Sequence, residues 1–413
     1  MSDVSMDKII SLAKRRGFIY PGSEIYGGFS GFWDYGPLGV ELKNNVKQLW
    51  WRMFVQDRDD MCGLDAAIVM NPEAWKASGH VSGFADPLEN GKMFNTMFST
   101  SVGAAAEATT AYLRPETAGG IFVNFKNVVD SLHPKLPFGI AQIGKAFRNE
   151  IAPRDFIFRA REFEQMEIEY FVRPQEWESA FEEWRQNVHA FNEAVGIASG
   201  SVHEVEVADS DRAHYSKRTI DFEFDFPFGR KELSGLAYRG DFDLQAHSEA
   251  SSVPLTYHEE LGANTGSKNI FIPHVVEPSF GVDRTILAVL ASAYTEDELG
   301  GESRVYLKFN SAVAPIKAAV FPLLKNKPEL VAKAREVYAM LKKQIPQIMW
   351  DDNGNIGKRY RRQDEIGTPV CITIDFDTLG EKPELKDTVT LRDRDTGEQE
   401  RVSIDSLRER IAT

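Results

Sequence analysis

The sequence predicts an α+β protein in which a large antiparallel sheet, flanked by helices, is followed by a smaller α/β domain. The middle of the chain contains long extended segments joined by hairpins, with few helices between them. This pattern is typical of antiparallel sheets rather than doubly wound parallel ones. Beyond residue 312, strand and helix patterns alternate to the end of the chain, as expected for a small separate domain. We therefore expect a first domain over 1–311 and a second over 312–413.

Length and composition limit the class of protein. The chain has 413 residues, of which 42% are apolar and 27% charged, so it has room for two or three globular domains. No apolar run of about 18 residues occurs, so no membrane span is expected. The amino-terminal segment MSDVSMDKIISLAKRRGF lacks the apolar stretch of a signal peptide, and Cys62 and Cys371 are isolated. These features predict a cytoplasmic protein with reduced thiols.

Two classes of binding are disfavoured by the same composition. The net charge of −14 argues against nucleic-acid binding driven by bulk charge, although a local basic patch is compatible with it. Cysteine pairs with metal-ligand spacing, such as CxxC, do not occur, so we expect no structural zinc site.

The elements of the first domain follow from hydrophobic periodicity. Helical spacing predicts helices over 4–16, 40–55, 174–195 and 282–294. The last of these is apolar nearly all round, so we expect it to be buried. Extended patterns predict strands over 65–70, 138–150, 162–172, 203–208, 219–226 and 271–276. The segment 85–107 has little pattern and is predicted to be a loop.

The second domain reads as strand, helix, strand, hairpin and terminal helix. We place these elements at 312–324, 329–341, 369–376, 388–404 and 405–411. Between the first helix and the second strand lies a basic aromatic cluster, GKRYRR, at 357–362. On composition alone this cluster is either a solvated loop or a nucleic-acid contact.

The hairpin predicted over 138–172 has an unusual polar face. Side chains alternate between the faces of a strand, so Gln142, Arg148 and Glu150 share one face of the first strand. On the returning strand, 162–172, a polar set alternates with an apolar set that makes an ordinary core. The polar set comprises Gln165, Glu167 and Glu169, and the aromatic Phe163 lies on the same face. Such a face is uncommon in a purely structural hairpin, so we expect it to bind a ligand.

Arginines are concentrated beside this face. A guanidinium on a buried polar surface needs an anion, and its planar fork binds phosphate through two hydrogen bonds. The candidates are Arg148, Arg159, Arg161 and Arg284. Arg284 opens the helix at 282–294, where a phosphate also interacts favourably with the helix N-terminus, and Gly281 permits close approach of a ligand to the backbone.

An aromatic ring and a carboxylate complete a nucleotide-binding pattern. Phe163 is placed to stack on a base, and Glu150 to accept a hydrogen bond from an exocyclic amine. Together with the arginines they suggest a nucleoside triphosphate site on an antiparallel sheet. The alternative is that Arg148–Glu150 and Arg161–Glu162 are ordinary ion pairs, which are common in proteins. Neither GxxxxGK[ST] nor GxGxxG occurs, so a P-loop or Rossmann site is not supported.

Several segments resemble a known family. FRNE, RAREFEQME and EPSFGVDR are similar to motifs 2 and 3 of class II aminoacyl-tRNA synthetases. RRGFIYPGSEIYGG, WDYGPLGVELKNN, LRPETAGGIFVNF, YRGDFDL and GKRYRRQDEIGTP resemble glycyl-tRNA synthetases of the homodimeric type, in the family's order and over nearly the whole chain. The resemblance implies a six- or seven-stranded antiparallel catalytic sheet, a carboxy-terminal α/β anticodon-binding domain and a homodimer. It also implies ATP, Mg²⁺, glycine and a glycine tRNA as cofactors and partners.

The resemblance assigns roles to individual residues. Arg148 is expected at the α-phosphate, Glu150 at the adenine amine, Phe163 under the adenine, and Arg159 and Arg284 at the γ-phosphate. The full ATP-binding set is Arg148, Asn149, Glu150, Phe158, Arg159, Arg161, Phe163, Glu232, Leu233, Gly281 and Arg284. The residues expected to be catalytic are Arg148, Arg284 and Glu277, and Glu277 is also a possible Mg²⁺ ligand.

The resemblance likewise places the amino-acid and tRNA sites. The implied glycine-binding residues are Glu116, Phe163, Gln165, Glu167, Glu232, Glu277 and Ser279. Carboxylates suit an ammonium, and a methyl group in an apolar pocket contributes only about 1–3 kcal/mol of discrimination, so other amino acids must be excluded sterically. A structural alternative pairs Glu116 and Glu232 with Arg114 or Arg239. The implied tRNA-binding residues are Lys358, Arg359, Arg361 and Arg362.

Three departures from the family pattern are visible. Gly119 stands where the family has a glutamine, and Ser234 replaces the second glutamate of an ELEG motif. The insertion that the family carries near 86–107 is much shortened here. These departures are expected to affect charging and acceptor-stem contacts more than ATP binding. Two hypotheses therefore stand: an active glycine–tRNA ligase, favoured by the retained motif residues, and a catalytically impaired synthetase-like protein that binds nucleic acid.

Overall fold

The amino-terminal part supplies two helices that pack beneath the main sheet. The computed structural model describes residues 4–88, 91–104, 108–213, 215–260 and 268–412. The first elements are α1 (Met6–Arg15), β1 (Ile19–Pro21), β2 (Trp33–Tyr35), α2 (Pro37–Trp51) and β3 (Met61–Gly63). A π-helical turn, Arg52–Gln56, extends α2. The helices predicted over 4–16 and 40–55 are thereby confirmed.

A region of short elements follows, where the sequence-based predictions were partly wrong. It contains β4 (Val69–Met70), α3 (Pro72–Ala77), α4 (His80–Gly83), β5 (Ala85–Pro87), β6 (Met93–Asn95), β7 (Ser99–Val102) and β8 (Thr109–Leu113). Only the end of the strand predicted over 65–70 forms, and 85–107 contains three strands instead of a loop. Every residue of β7 is exposed, so burial left no alternating pattern to detect. Residues 89–90 and 105–107 lie outside the described residues.

The central part contains the long strands. Its elements are α5 (Ala118–Leu132), β9 (Phe138–Phe147), β10 (Glu162–Val172), α6 (Trp177–Ala194), β11 (Val202–Glu206), β12 (Arg218–Phe226), β13 (Gly229–Gly240), α7 (Phe242–Ser251), β14 (Tyr257–Glu260), β15 (Lys268–Phe271), β16 (His274–Gly281) and α8 (Val282–Ala293). Four of these elements were not predicted from the sequence: α5, β13, α7 and β14. The sequence analysis also predicted one strand over 271–276, where the structure has the end of β15 and the beginning of β16.

A seven-stranded sheet, in the order β11–β12–β13–β16–β10–β9–β3, organises the chain. Neighbouring strands are antiparallel except β3, which is parallel to β9. One face packs on α1, α2, α6 and α8 in a core that includes Met166 and Ile168. The other face packs on α5 and α7 at one end, around Phe125 and Phe171. The remainder of this second face forms the floor of the site described below.

The carboxy-terminal part is an α/β unit, as predicted. The hairpin β17 (Tyr294–Leu299) and β18 (Glu302–Leu307) precedes it. It contains β19 (Ala318–Pro322), α9 (Pro328–Gln344), β20 (Ile348–Trp350), α10 (Ile356–Glu365), β21 (Val370–Ile374), α11 (Phe376–Leu379), β22 (Thr388–Asp393), β23 (Gln399–Ser403) and α12 (Leu407–Ala412). Its five strands are ordered β20–β19–β21–β22–β23. Among the described residues, no helix has the length and apolar character needed to cross a bilayer.

Candidate active site

A cavity of about 360 Å³ lies on the sheet face away from the main core, where β10, β13 and β16 meet the start of α8. Most residues that the sequence analysis singled out converge there. They are Glu116, Arg148, Glu150, Phe158, Arg159, Phe163, Gln165, Glu167, Glu232, Leu233, Glu277, Ser279, Gly281 and Arg284. Asn149 and Arg161 are not among the described lining residues. Arg161 instead donates hydrogen bonds to the carbonyl oxygens of Glu150 and Ser30, so it fixes the loop backbone.

The mouth of the cavity carries guanidinium groups. Arg159 contacts Glu150 through Nη2 at 2.6 Å, and Arg284 contacts Glu232 through Nη1 at 2.9 Å. The Arg148 guanidinium lies 5.3 Å from the centre of the Phe163 ring, at cation–π distance. The alternative pairs Arg148–Glu150 and Arg161–Glu162 were therefore wrong, because the carboxylates of Glu150 and Glu162 bind other partners.

The inner end of the cavity is rich in carboxylates. Glu167, from the middle of β10, accepts hydrogen bonds from the hydroxyls of Ser279 and Thr117. Strand pairing explains this arrangement, because Glu167 lies directly opposite Ser279 in the sheet. Glu277 accepts a hydrogen bond from Arg239 at 2.8 Å. One carboxyl oxygen from each of Glu167, Glu169 and Glu277 lies within 4.8 Å of the other two.

Glu116 is held by a histidine rather than by an arginine. His80 Nε2 lies 3.3 Å from the Glu116 carboxylate, and Ser78 contacts the other ring nitrogen at 2.8 Å. Burial alone would raise the pKa of Glu116, but His80, Arg239 and Arg148 outweigh burial and lower this pKa to about 2. The carboxylate is therefore ionised at neutral pH. The proposed structural pairing of Glu116 with Arg114 or Arg239 was wrong.

Arg239 and Arg114 have other partners. Arg239 forms two hydrogen bonds with Asp243, each 2.8 Å long, in addition to its bond with Glu277. Arg114 donates to the carbonyl oxygens of Lys145 and Ala66. Glu232 pairs with Arg284 instead, so its predicted structural alternative was also wrong.

Comparison with known proteins identifies the family. Residues 104–293 match the tRNA synthetase class II core domain (G, H, P, S and T), and residues 317–413 match an anticodon binding domain. A glycine–tRNA ligase from Clostridium tetani is 47% identical over 465 residues, covering 98% of this chain and 97% of the relative. One from Caldanaerobacter subterraneus is 45% identical over 461 residues, with the same coverage of both chains.

The chain belongs to the glycine–tRNA ligase family of class II tRNA synthetases. A relative from Thermobifida fusca, 46% identical over 462 residues with 99% of this chain and 97% of its own covered, supports the same assignment. The predicted fold class, an antiparallel class II core followed by an anticodon-binding domain, is confirmed.

Some residues of this synthetase cavity escaped the sequence analysis. Tyr215, Gly235 and Ala237 line the cavity, and Arg239 and His80 position its carboxylates. Gly235 and Ala237 lie opposite Ser279 and Glu277 in the β13–β16 pairing. Strand alternation along β13 would have revealed these small residues had the strand been recognised. The Tyr215 ring centre lies 3.7 Å from the guanidinium carbon of Arg239. These two residues are 24 positions apart in the chain, so a single sequence gives no signal of their contact.

Glu169, which was predicted to lie on the polar face, is fully buried and is not among the described lining residues of the cavity. Neither of its carboxylate oxygens has a hydrogen-bond partner among the described residues. Burial raises the pKa of Glu169 well above its usual value, and the nearby Glu277 raises it further. Both effects favour the protonated form of this side chain.

The structure shows the surroundings of two departures from the family pattern. A Cβ atom on Gly119 would lie 2.8 Å from the buried ring of Trp75, which therefore occupies the space that a side chain needs. Ser234 is almost completely buried, lies opposite the core residue Phe280 in the pairing of β13 with β16, and is among the residues that line the cavity.

The basic cluster of the anticodon-binding domain forms part of α10, so the solvated-loop alternative was wrong. Arg359 is almost completely buried and donates hydrogen bonds to the carbonyl oxygens of Pro322, Asp352 and Gly354. This residue therefore holds its own domain together and is not available to tRNA. Lys358 is exposed, and Arg361 and Arg362 are partly exposed beside carboxylates.

Proposed function

We propose that the chain is a glycine–tRNA ligase that forms glycyl-adenylate from glycine and ATP and then transfers glycine to the 3′ end of a glycine tRNA. One observation carries this proposal: a carboxylate-lined inner pocket opens into a mouth lined by guanidinium groups and an aromatic ring. The first part suits an ammonium and the second a nucleoside triphosphate. The relatives named glycine–tRNA ligase, at 45–47% identity over almost the whole chain, support the same activity.

Glycine is assigned to the inner pocket. Its ammonium would lie among Glu116, Glu167 and Glu277, with Ser279 and Gln165 completing the floor. These carboxylates are already oriented by His80, by Thr117 and Ser279, and by Arg239. Such preorganisation reduces the free energy that binding would otherwise spend on ordering side chains. Glu232 lies at the mouth, paired with Arg284, and fits the nucleotide better than the amino acid.

ATP is assigned to the mouth. Arg148 would contact the α-phosphate, Arg159 and Arg284 the γ-phosphate, and Phe163 would stack on adenine. Phe158, Leu233 and Gly281 line this part of the cavity, and the Arg284 guanidinium lies 4.6 Å from the Phe158 ring centre. The role of Asn149 is to shape the loop, since its N–H donates to the carbonyl of Thr96.

The residues near Arg284 fit a magnesium ion accompanying ATP. Asp221 lines the cavity, and burial together with Glu232 and Glu223 raises its pKa to about 6, so this cluster favours a cation. Carboxylate oxygens are the ligands that Mg²⁺ prefers, and Asp221 and Glu232 would hold it. The ion would supply neutralisation of phosphate charge. Glu277 is buried against Arg239 and fits this role less well.

The chemistry requires no enzyme nucleophile. The carboxylate of glycine attacks the α-phosphorus of ATP, forming an acyl–phosphate bond as pyrophosphate leaves. The terminal ribose hydroxyl of the tRNA then attacks the acyl carbon and releases AMP. In both steps the protein contributes positioning and charge stabilisation, with Arg148 and Arg284 as the central groups.

We further propose a cytoplasmic homodimer whose domains meet near residue 311. Ile25, Tyr26 and Phe29, in the segment that precedes α2, are 88%, 86% and 63% exposed, and a second copy of the chain would cover them. The described cysteines, Cys62 and Cys371, are free thiols, which suits the cytoplasm. Lys358, Arg361 and Arg362 are the proposed tRNA contacts on α10.

The test is transfer of radiolabelled glycine to bulk tRNA by the purified chain with ATP and Mg²⁺. We expect acid-precipitable glycyl-tRNA that forms only when all components are present. Folded protein that binds tRNA without charging it would instead support the catalytically impaired alternative.

A further inference from the structure

One wall of the inner pocket comes from outside the sheet. The loop between β11 and β12 brings the half-buried Tyr215 into the cavity. Its ring centre lies 3.7 Å from the guanidinium carbon of Arg239, which rises from the floor on β13. The ring therefore lies on the cavity side of the sheet, in contact with the arginine that binds Glu277.

The base on which this ring rests is rigid. Arg239 is almost completely buried, forms two hydrogen bonds with Asp243 and one with Glu277, and lies 5.1 Å from the centre of the Phe122 ring. The Arg239 guanidinium could move aside for a larger ligand only if its buried ion pairs broke, and breaking a buried ion pair carries a large free-energy cost.

The backbone that carries Tyr215 is also fixed. The N–H of Ser216 donates to the carbonyl of Ala213 at 2.9 Å, and the N–H of Lys217 donates to the carbonyl of Tyr238 at 2.7 Å. The Arg212 guanidinium also donates to the carbonyl of Lys217. Tyr215 therefore lies close to the start of β12, next to backbone that is hydrogen-bonded to β13.

The carboxylates of the pocket cannot select glycine by themselves, because every amino acid has the same ammonium. Burial raises the pKa of Tyr215, and the negative charges of Glu277, Glu116 and Glu167 raise it further against the effect of Arg239. Tyr215 lines the same cavity as Glu116, Glu167 and Glu277, the groups proposed to hold the ammonium.

We propose that Tyr215 is the residue that determines specificity for glycine: its ring, backed by Arg239, fills the space that the β-carbon of a larger amino acid would need. The inference rests on the proposed function, since it assumes that the inner pocket takes the amino acid. The small Gly235 and Ala237 keep the floor open for glycine itself, while Tyr215 closes the pocket above it.

The experiment compares amino-acid-dependent exchange of pyrophosphate into ATP for the full chain and for Tyr215→Ala, Tyr215→Leu and Tyr215→Phe. Glycine, alanine and serine are the substrates. We expect Tyr215→Ala to lower the glycine-to-alanine ratio of kcat/KM by about 10- to 200-fold, as for one methyl group in a pocket. Tyr215→Phe keeps the ring and the wild-type ratio, and Tyr215→Leu gives an intermediate ratio even if the alanine variant does not fold.

A control and three outcomes make the result decisive. Tyr338→Ala removes a tyrosine ring from the carboxy-terminal unit and should leave the ratio unchanged. An unchanged ratio in folded Tyr215→Ala and Tyr215→Leu overturns the inference, as does a Tyr215→Phe variant that loses selectivity as strongly as Tyr215→Ala. Wild-type protein without glycine-dependent exchange overturns the proposed function instead.

Discussion

Arg159 and Glu150, two residues assigned to opposite ends of ATP, bind each other in the structure. Nε of Arg159 lies 2.7 Å, and Nη2 lies 2.6 Å, from the same carboxylate oxygen of Glu150. The pair holds both side chains at the mouth of the cavity before the nucleotide arrives. ATP binding must therefore compete with this ion pair or share its members.

Replacing Glu150 by alanine tests its assignment to the adenine amine. We expect the KM for ATP to rise about 10- to 100-fold, because a hydrogen bond to a charged group contributes about 1.5–3 kcal/mol. Pyrophosphate exchange at varied ATP concentration measures the change. Glu162→Ala is the matched control, because Glu162 pairs with Lys145 and with none of the arginines assigned to the phosphates of ATP. Similar KM values in the two variants would contradict the assignment.

Arg284→Ala should strongly reduce catalysis without unfolding the protein. Its guanidinium is 29% exposed and contacts Glu232, so the loss of this pair costs little stability. Loss of a charge-stabilising group should lower exchange by about 10²–10³-fold. Exchange assays, circular dichroism and gel filtration report activity, folding and oligomeric state. Arg230→Ala, which removes a comparable ion pair with Asp225, should retain activity. Near wild-type exchange by Arg284→Ala would refute its role.

Two arginines of α10 should respond differently to replacement by alanine. Arg359→Ala removes a buried donor from three main-chain carbonyl groups, and we expect a loss of about 3 kcal/mol in the free energy of unfolding. Arg361→Ala removes a partly exposed pair with Glu302 and should change stability by less than about 1 kcal/mol. It should raise the KM for tRNA instead. Urea denaturation and charging kinetics separate these effects, and equal destabilisation would be inconsistent with the buried role of Arg359.

The stability of the protein should depend on the protonation of Glu169. Its pKa is raised in the folded state by burial and by Glu277 and Glu167, while Arg239 opposes the rise. The folded state therefore keeps a proton that the unfolded chain loses above its ordinary pKa. The stability from this proton is fully present below the unfolded pKa and decreases as pH rises toward the folded pKa, by about 1.4 kcal/mol per pH unit.

Glu169→Gln isolates this effect, because glutamine resembles the neutral acid in shape. We expect the variant to gain stability relative to wild type as pH rises from 5 to 8. The measurement is the free energy of unfolding from urea titrations at several pH values. A difference between the two proteins that stays constant with pH would show that Glu169 is charged in the folded state.

Restoring the family's glutamine at position 119 should destabilise this chain. The new Cβ would lie 2.8 Å from a ring that is 1% exposed and has no room to move. Overpacking of this kind costs about 1–3 kcal/mol. Thermal unfolding of Gly119→Gln measures the cost, and the double variant with Trp75→Leu should recover part of it. A Gly119→Gln protein as stable as wild type would contradict the account.

Long elements with strong periodicity were predictable from the sequence. The strand β10 was placed without error, and α6 and α8 were found within a few residues. By contrast, β13 begins with exposed charged residues and contains Gly235, so its alternation was hidden. The helix α5 begins with Ala-Gly-Gly, which is a poor helical start in sequence terms.

The candidate site was predictable where its residues lie on one strand or in one motif. Alternation along β10 correctly placed Phe163, Gln165 and Glu167 on the cavity side. The pairs His80–Glu116 and Tyr215–Arg239 join residues far apart in the chain, so no spacing rule reveals them. The predicted ion pairs Arg148–Glu150 and Arg161–Glu162 were wrong because they joined residues close together in sequence, whereas the carboxylates pair with Arg159 and Lys145.

The most direct test of the account is exchange of labelled pyrophosphate into ATP by the purified chain, with one amino acid supplied at a time. We predict exchange with glycine, and exchange near background with alanine, serine, proline, threonine or histidine. The signal should fall strongly in Arg284→Ala. Correctly folded protein that shows no exchange with glycine, or that prefers another amino acid, would contradict the assignment of the carboxylate pocket to glycine.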